Sequence, residues 1–332
     1  MRIGIDARKI ADFGIGTYIR GLLRGLEEIE APEEYVVFAP ATSAIAARFE
    51  HITFDAPHYS ARELLDLGGA IRRARIDLFH APHYVVPFTA TPVVVTIHDL
   101  IHLHTRHRNP LKPLYARTML GRAVRKSARV LTVSEAVKRD IVGTFQCDER
   151  HVVVAPNGID EQFRADRSVC ATSDYFLFVG NDKPHKNVDA LVDDFARVRA
   201  MRPDLRLVLA GAPFARFARR DGVECIGFVD DLAALYRGAL AVVVPSLEEG
   251  FGLPAAEAMA CGAAVITSHA AALIEVTDDA ALHASDFADA MLRVAGDEEL
   301  RRELAHRGMA RASRFTWRAC AEKTRDVYLS AR

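Results

Sequence analysis

The 332-residue sequence lacks the features that mark several protein classes. Its five cysteines are scattered, with no C-x-x-C pair and no histidine at zinc spacing, which argues against a disulfide framework or a structural metal. The longest apolar runs, PVVVTI and ALAVVVP, have the length of a strand and are too short to span a membrane. A net charge of −1 gives no general attraction for nucleic acid. The N-terminal MRIGIDARKI lacks the apolar core of a signal peptide, so we expect a cytoplasmic protein.

The chain is long enough for about two domains. Short β-branched runs alternate with longer helical patterns in both halves. In the first half, strands are predicted at residues 2–7, 35–39, 77–81, 92–99, 129–134 and 152–156. In the second half, they are predicted at residues 175–180, 205–211, 223–229, 239–246 and 263–268. Such continuous apolar strands are typical of parallel sheets that are covered by helices on both faces.

Two successive series of this kind predict the α/β class, with two Rossmann-like, doubly wound parallel-sheet domains. The polar stretch at 160–174 has no periodicity and marks the boundary. We place a first domain at 1–165, a second at 166–312 and a C-terminal helix at 313–332 that packs back on the first. Open sheets of this type bind ligands at the carboxyl ends of their strands, so polar residues that follow strands are the candidates for a site.

Two such places lie in the first half. The segment DFGIGTYIR places Gly14 and Gly16 at a helix start, where backbone N–H groups either approach a phosphate or form an ordinary turn. It is no dinucleotide fingerprint, because Ile19 stands where the third glycine is needed, and this excludes a Rossmann dehydrogenase. The segment IHDL places His98 and Asp99 at a strand end, either as a hydrogen-bonded pair or as ligand-binding residues.

The first candidate segment of the second half is VGNDKPHKN, which follows the strand at 175–180. It gathers Lys183, His185 and Lys186 just before a helix that is predicted to begin near Asn187. A helix N-terminus favours anions, and neighbouring cations strengthen that preference for a phosphate. The alternative is a solvated basic turn.

The second candidate segment is PSLEEGFGLPAAEAMACG at 245–262, which carries two glutamates, Glu249 and Glu257. Pro254 suits the first position of a helix and Gly262 its end, so Glu257 is predicted in the first helical turn. Glu249 is predicted in the glycine-rich turn before it. The two carboxyls of a glycosidase face each other across a sugar ring, whereas these two acids are better placed to hold opposite ends of one ligand.

These segments together resemble a known family. EEGFGLPAAEAMACGAAVITS looks like the E-x7-E donor-site motif of the retaining enzymes of glycosyltransferase family 4, the group 1 glycosyltransferases. The segments VVTIHDL, VLTVSEAVKRDI, VVVAPNGID, GNDKPHKN and GFVDDLAALYRGALAVVVPS agree with the family in order and spacing. The resemblance covers nearly the whole chain. It implies a GT-B fold, in which two Rossmann-like domains face each other across a cleft and the C-terminal one holds most of the nucleotide-sugar donor.

The resemblance also implies roles for the candidate residues. Glu257 would accept hydrogen bonds from the ribose, and Glu249 would lie beside the donor sugar. Lys186 would neutralise the diphosphate leaving group, and His98 would contact the transferred sugar near the acceptor. Further donor-binding residues, some of them through backbone amides, would be Gly14, Gly16, Lys183, His185, Phe251, Gly252 and Leu253.

Departure of the diphosphate requires that its charge be neutralised. Many family members have an arginine where this sequence has Asn181 or His185. The site keeps Lys186 and gains Lys183, and its phosphate affinity is expected either to be lower or to depend on pH through His185. Lysine and helix-terminal amides supply the neutralisation for which other folds use Mg²⁺. No D-x-D motif follows a strand, and we expect neither a metal nor another cofactor.

The predicted function is a retaining hexosyltransferase in polysaccharide or lipopolysaccharide biosynthesis. Compact family members with similar loops often use GDP-mannose, so a GDP-sugar is favoured over a UDP-sugar. The expected acceptor is a glycan or a lipid-linked glycan, and no nucleic-acid partner is expected. The alternatives are a catalytically weak nucleotide-sugar binding subunit, an epimerase or a phosphorylase of the same fold.

One stretch bears on a membrane partner. No acidic residue occurs between Leu100 and Ser134, while basic residues are frequent from 106 to 129. Near an anionic lipid surface, each basic residue contributes about 1 kcal/mol. This stretch is therefore either a solvated helix face or a peripheral contact with the inner face of the membrane.

Overall fold

The computed structural model describes residues 1–55, 61–104, 111–164, 174–211 and 213–331, without the side chains of 61–64 and 111–112. The chain divides into two compact units. The first comprises Met1–Gly158 and Thr316–Arg332, and the second comprises Ile159–Phe315. The domain boundary predicted at 165/166 lies outside the described residues.

The first unit is built on a parallel sheet. Its strands are β1 (Arg2–Asp6), β2 (Glu34–Ala39), β3 (Glu50–Thr53), β4 (Leu78–Ala81), β5 (Val93–Ile97), β6 (Arg129–Thr132) and β7 (Val152–Val154). Its helices up to this point are α1 (Ile15–Glu28), α2 (Ala61–Arg73), α3 (Ile101–His104), α4 (Leu111–Lys126) and α5 (Glu135–Phe145). The seven strands lie in the order β3-β2-β1-β4-β5-β6-β7.

Helices cover both faces of this sheet, as β2 illustrates. Val36 and Phe38 pack into a core with residues of α2, α4 and α5. Tyr35 and Val37 point to the opposite face and pack with residues of α1. Because successive side chains of a strand alternate between faces, burial of both faces requires the continuous apolar run that the sequence has here.

The second unit repeats this arrangement. Its strands are β8 (Tyr175–Gly180), β9 (Arg206–Gly211), β10 (Val223–Gly227), β11 (Ala241–Val244), β12 (Val265–Thr267) and β13 (Leu282–His283). Its helices are α6 (Val188–Met201), α7 (Leu232–Gly238), α8 (Leu253–Ala260), α9 (Ala271–Thr277), α10 (Phe287–Gly296) and α11 (Glu298–Ala312). The six strands lie in the order β10-β9-β8-β11-β12-β13, and their pairings are parallel.

The last helix, α12 (Trp317–Ser330), belongs to the first unit and packs on α1. Its contact is close because Gly21 and Gly25 of α1 lie against Trp317, where an added Cβ would collide with the indole or its backbone. The Arg325 guanidinium donates two hydrogen bonds to Glu33, at 2.8 and 3.0 Å. The C-terminal segment is therefore part of the first unit's core and not an extension of the second.

The predicted α/β class with two doubly wound parallel-sheet domains is confirmed. Two short strands were absent from the prediction. Strand β3 is the half-exposed edge strand EHIT, and β13 has two residues, so neither has the apolar run that identifies a buried strand. Within the described ranges, no helix is long and apolar enough to cross a membrane.

Candidate functional site

In the second unit, two loops lie side by side because the strands before them are neighbours. Strand β8 is followed by the lysine loop (181–187), and β11 is followed by the glutamate loop (245–252). Two hydrogen bonds join these loops. The Leu247 N–H donates to the His185 carbonyl at 2.7 Å, and Asn187 Nδ2 donates to the Pro245 carbonyl at 3.3 Å. Residues 63 positions apart are thus brought to one place at the carboxyl edge of the sheet.

The principal contact between the loops is an ion pair. Lys186 Nζ lies 2.6 Å from Glu249 Oε1, and the side chains are 13% and 9% exposed. Within the described part of the chain, this is the one hydrogen bond that either side chain makes. The lysine predicted for the diphosphate and the glutamate predicted for the sugar therefore face each other directly.

The backbone of the lysine loop has a special conformation at its end. Asn187 has φ 55° and ψ 34°, in the left-handed region, which asparagine tolerates better than most residues. Lys183 is exposed, and His185 is half-buried. Since Lys186 immediately precedes Asn187, the left-handed turn and the Asn187 amide fix the backbone that carries Lys186.

The other side of the lysine loop is held by an arginine that the sequence analysis did not single out. Arg216, which follows β9, donates two hydrogen bonds of 2.6 Å to Asp182 and two to Asp189, one of them 2.8 Å long. The hydrogen bonds that Arg216 donates to both carboxylates raise its pKa. This guanidinium orders the loop through an aspartate that lies one residue before Lys183.

The glutamate loop leads into α8 through a glycine. Gly252 has φ 91°, and a Cβ at this position would lie 2.5 Å from Leu273 Cδ2, so only glycine fits. No side chain of the described residues caps the helix. Pro254 has no N–H, and the N–H groups of Ala255 and Ala256 donate to the Gly252 carbonyl at 3.0 and 3.1 Å, so the amide at the helix start that can face an anion is that of Leu253. Phe251 is buried edge-on against Phe315 at 5.3 Å between ring centroids. These contacts fix the backbone amides of Phe251, Gly252 and Leu253 at the helix start.

The sequence analysis predicted Glu257 in the first turn of the helix. Glu257 is instead the fifth residue of α8, so it lies in the second turn. The predicted position was wrong because it took Pro254, not Leu253, as the first residue of the helix. The half-buried Glu257 accepts a hydrogen bond of 3.0 Å from the Tyr236 hydroxyl on α7. Burial raises the pKa of Glu257 to about 8; the Tyr236 hydrogen bond opposes the increase and the charge of Asp160 adds to it.

In the first unit, the strand ends of β1 and β4 hold a buried ion pair that the sequence analysis missed. Asp6 accepts hydrogen bonds from Arg8 Nε at 2.8 Å, Arg8 Nη2 at 2.6 Å and His83 Nε2 at 3.1 Å. All three side chains are buried. Burial alone would raise the pKa of Asp6, but the hydrogen bonds and charges of Arg8 and His83 lower it further than burial raises it. The available signal was an aspartate directly after an apolar strand.

His98 follows the next strand, β5. Its Nε2 donates to the Pro82 carbonyl at 3.1 Å, and its ring stands edge-to-face on Tyr18 at 4.8 Å. Asp99 instead accepts from the Ile101 N–H at 3.1 Å, so the two side chains of the predicted pair bond to other groups. Burial lowers the pKa of His98, so the neutral ring keeps an unprotonated Nδ1 that can accept a hydrogen bond.

The glycine turn before α1 is tightly closed. Gly16 donates its N–H to the Asp12 carbonyl at 3.1 Å, and a Cβ on Gly16 would lie 2.6 Å from the Ile10 carbonyl oxygen. Gly14 has φ 69°, in the region that favours glycine. The conformation therefore explains both glycines, and their role toward a diphosphate stays a prediction.

Comparison with known proteins defines the class. Residues 14–163 match the model of Glycosyltransferase Family 4, and residues 173–297 match the model described as Glycosyl transferases group 1. The chain belongs to this family of glycosyltransferases, and the predicted family is confirmed. The two matched ranges correspond to the first and second units, respectively, apart from the ends of each unit.

Particular relatives are similar over most of the chain. O-antigen chain mannosyltransferase B of Escherichia coli is 27% identical over 289 residues, which cover 78% of this chain and 76% of the relative. The MMP alpha-(1->4)-mannosyltransferase of Mycolicibacterium hassiacum is 33% identical over 273 residues, 72% of this chain and 66% of the relative. Anabaena HepE, solved in complex with UDP and glucose, superposes with a TM-score of 0.76 at 16% identity, covering 99% of this chain and 100% of HepE. This structural likeness confirms the predicted GT-B fold.

Proposed function

We propose that this glycosyltransferase is a retaining hexosyltransferase that moves mannose from GDP-mannose to a glycan or lipid-linked acceptor. The mannosyltransferase relatives support the choice of sugar. The observation that carries the proposal is the Lys186–Glu249 contact of 2.6 Å, in which Glu249 belongs to the loop that leads into α8. It supports the proposal because it joins one cation to one carboxylate. A bound diphosphate would pair with Lys186, and a bound sugar would hydrogen-bond to Glu249.

The two charges suit the two ends of the bond that breaks. When the bond between the anomeric carbon and the diphosphate oxygen cleaves, negative charge grows on the diphosphate and positive charge on the sugar carbon. Lys186 and the Leu253 amide would stabilise the first, and Glu249 the second. Glu257, one helical turn further along α8, would accept from the ribose. His98 would present its unprotonated Nδ1 to a hydroxyl of the transferred sugar.

Because protein groups supply this neutralisation, we propose that transfer requires no metal and no other cofactor. The test is donor turnover in EDTA, followed by addition of Mg²⁺ or Mn²⁺. Full activity in EDTA supports the proposal. Loss of activity that either ion restores contradicts it.

The donor can be identified by ligand stabilisation and by turnover. A ligand at 100 times its dissociation constant adds about 2.7 kcal/mol to the free energy of unfolding, which is readily seen as a rise in Tm. We expect GDP to stabilise more than UDP or ADP, and GDP-mannose to be the sugar nucleotide hydrolysed or transferred. A larger effect of UDP, the nucleotide bound to HepE, would overturn the choice of base. NMR of the product would establish the anomeric configuration, and an inverted product contradicts the retaining mechanism.

We also propose that α4 contacts an anionic membrane. Leu114 and Tyr115 are 62% and 48% exposed at its first turns, and Arg117 and Arg125 are exposed further along. Arg122 is partly used within the unit, since it donates to the Val86 carbonyl and stacks on Phe88 at 4.6 Å. The predicted contributions of Arg106 and Arg108 and of the Lys112 side chain lie outside the described residues.

Liposome flotation tests this contact. The double variant Leu114→Ser and Tyr115→Ser should reduce binding to vesicles that contain anionic lipid, and high salt should do the same. Met201→Ser is the matched control, because Met201 is 69% exposed on the second unit. Equal flotation of both variants, or equal flotation with and without anionic lipid, would contradict the proposal.

A further inference from the structure

The Glu257 carboxylate receives its hydrogen bond from a residue of a different helix. Tyr236 Oη lies 3.0 Å from Glu257 Oε2, and this is the one hydrogen bond that the Glu257 side chain makes within the described ranges. No basic side chain of those ranges forms an ion pair with it. A carboxylate can accept about four hydrogen bonds, so most of the capacity of Glu257 is left for a ligand.

The position of Tyr236 is fixed. The residue is fully buried on α7, a helix that Asp231 caps by accepting the Ala234 N–H at 2.9 Å. The ring stands edge-to-face on Phe163 at 5.8 Å between centroids. A buried ring with these contacts cannot follow Glu257 if that side chain changes rotamer, so the hydroxyl selects one rotamer of the glutamate.

We infer that Tyr236 is a positioning residue of the nucleoside site: its hydroxyl donates to Oε2 of Glu257, holds the carboxylate in one rotamer, and leaves Oε1 to accept a ribose hydroxyl. The inference rests on the proposed function, which places the ribose at Glu257. A tyrosine hydroxyl suits this task because it donates to the carboxylate without adding a positive charge.

The surroundings of Glu257 make such support necessary. Burial disfavours its charge and raises its pKa to about 8, and Asp160, just before the turn Glu161–Phe163, adds a repulsion. The Cys261 thiol lies at the end of α8 and interacts with Glu257 electrostatically. In the described residues, α9, α11, β11 and β12 pack on α8 without contributing a charge that shifts this pKa. Among the described residues, the Tyr236 hydroxyl is therefore the one group that favours the ionised form of Glu257.

The test compares two tyrosine variants of the full chain. Tyr236→Phe removes the hydroxyl that faces Glu257. Tyr175→Phe is the matched control, because the Tyr175 hydroxyl donates at 2.9 Å to the Leu235 carbonyl of the same helix and does not touch Glu257. The dissociation constant of GDP, or of UDP if that nucleotide binds the wild type better, is measured by calorimetry from pH 7 to 9.5.

Tyr236→Phe should weaken binding about tenfold at pH 7, since loss of a hydrogen bond to a charged group shifts its ionisation by that order. The deficit should shrink to within about twofold at pH 9.5, where Glu257 is ionised in both proteins. Tyr175→Phe should follow the wild type at every pH. An equal deficit at every pH means that the hydroxyl is merely structural, and no deficit means that it has no role; either overturns the inference.

A second probe preserves the shape of the side chain. Incorporation of 3-fluorotyrosine at position 236 makes the hydroxyl a stronger donor, so binding should improve at pH 7 and its pH profile should move to lower pH. An unchanged profile overturns the inference even if Tyr236→Phe fails to fold. A different result would contradict the proposed function itself. If Glu257→Gln binds the nucleotide as tightly as the wild type at pH 9.5, the ribose does not depend on Glu257.

Discussion

The two units each carry an ion pair at the carboxyl edge of their sheet, and the two pairs differ in what surrounds them. Asp6–Arg8 and Lys186–Glu249 have the same closest N–O distance of 2.6 Å. In the first, the side chains are 0% and 1% exposed, and His83 adds a further hydrogen bond to the carboxylate. In the second, the side chains are 13% and 9% exposed, and each has the other as its one partner among the described residues. Distance alone therefore does not identify a binding site.

The difference lies in the hydrogen-bonding capacity that remains. Asp6 is nearly saturated by Arg8 and His83, so a ligand could bind it only by breaking buried bonds. Glu249 and Lys186 each make one hydrogen bond among the described residues and keep capacity for more, which a diphosphate and a sugar would use if the proposed function is right. Breaking a buried pair by removing one partner is strongly unfavourable, because the other charge stays in the interior. The first pair should therefore affect folding, and the second should affect catalysis.

The largest expected effect is on stability. Asp6→Asn should lower the free energy of unfolding by about 3–5 kcal/mol, because Arg8 keeps a buried charge without its carboxylate. Asp12→Asn is the matched control, since Asp12 is 50% exposed and pairs with Lys9 at 3.3 Å; it should cost less than about 1 kcal/mol. Urea denaturation measures both. A loss for Asp6→Asn no larger than for Asp12→Asn would contradict a structural role for the buried pair.

The second effect is on turnover. Lys186→Ala should lower kcat about 10²–10³-fold, the range found when one preorganised group that stabilises transition-state charge is removed. Lys183→Ala, at an exposed position three residues earlier, should change kcat by a few-fold at most. Steady-state kinetics with saturating donor measures the ratio, and Tm checks that both variants are folded. Equal losses in the two variants would refute the assignment of Lys186.

Much of this contrast depends on contacts that the sequence does not encode locally. The strands were predictable, because a run such as VVVTI in β5 is apolar on both faces and parallel sheets require that pattern. The loops with Lys186 and Glu249 were found for the same reason, since each directly follows such a run. The family resemblance then supplied roles that spacing alone does not provide.

The supporting residues had no such signal. His83 lies 77 positions from Asp6, and Tyr236 lies 21 positions from Glu257, so no local spacing connects them. Both contacts arise from the order of elements in three dimensions: β1 and β4 are neighbours in the sheet, and α7 packs on α8. Short edge strands such as EHIT escaped prediction for the related reason that pairing, not composition, makes them strands.

The third prediction uses pH to distinguish Glu257, whose pKa is raised, from Asp6, whose pKa is lowered. The pKa of Glu257 is raised from its ordinary 4.5 to about 8, so its burial destabilises the fold increasingly as pH rises from about 5 to 8. Glu257→Gln should be more stable than the wild type by about 1–2 kcal/mol at pH 9, because water reaches the half-buried carboxyl and limits the effect. At pH 5 the two proteins should be nearly equal.

The ionised Asp6 stabilises the fold, whereas the ionised Glu257 destabilises it. The pKa of Asp6 is lowered, so its contribution to the free energy of unfolding is present above the ordinary pKa of 3.8 and is lost as pH falls in strong acid.

Urea denaturation at pH 5, 7 and 9 tests the prediction for Glu257→Gln. Glu299→Gln, at an exposed helix position, is the control. A stability difference between Glu257→Gln and the wild type that is constant from pH 5 to 9 would show that Glu257 is ionised throughout.

The smallest expected effect comes from a residue that touches neither charge of the Lys186–Glu249 pair. Asn187→Gly preserves the left-handed backbone and removes the 3.3 Å bond to the Pro245 carbonyl, so donor affinity should fall about threefold at nearly unchanged Tm. Asn187→Ala loses the same bond, and it leaves at φ 55° a residue that tolerates the left-handed region less well than asparagine or glycine, which should cost about 1–2 kcal/mol of stability. Donor affinity and Tm of the two variants therefore separate the amide from the backbone. Unchanged affinity in Asn187→Gly would mean that the lysine loop keeps its position without this tie. The members of the Asp6–Arg8 pair are two residues apart at one strand end, so their separation does not depend on a hydrogen bond between two loops.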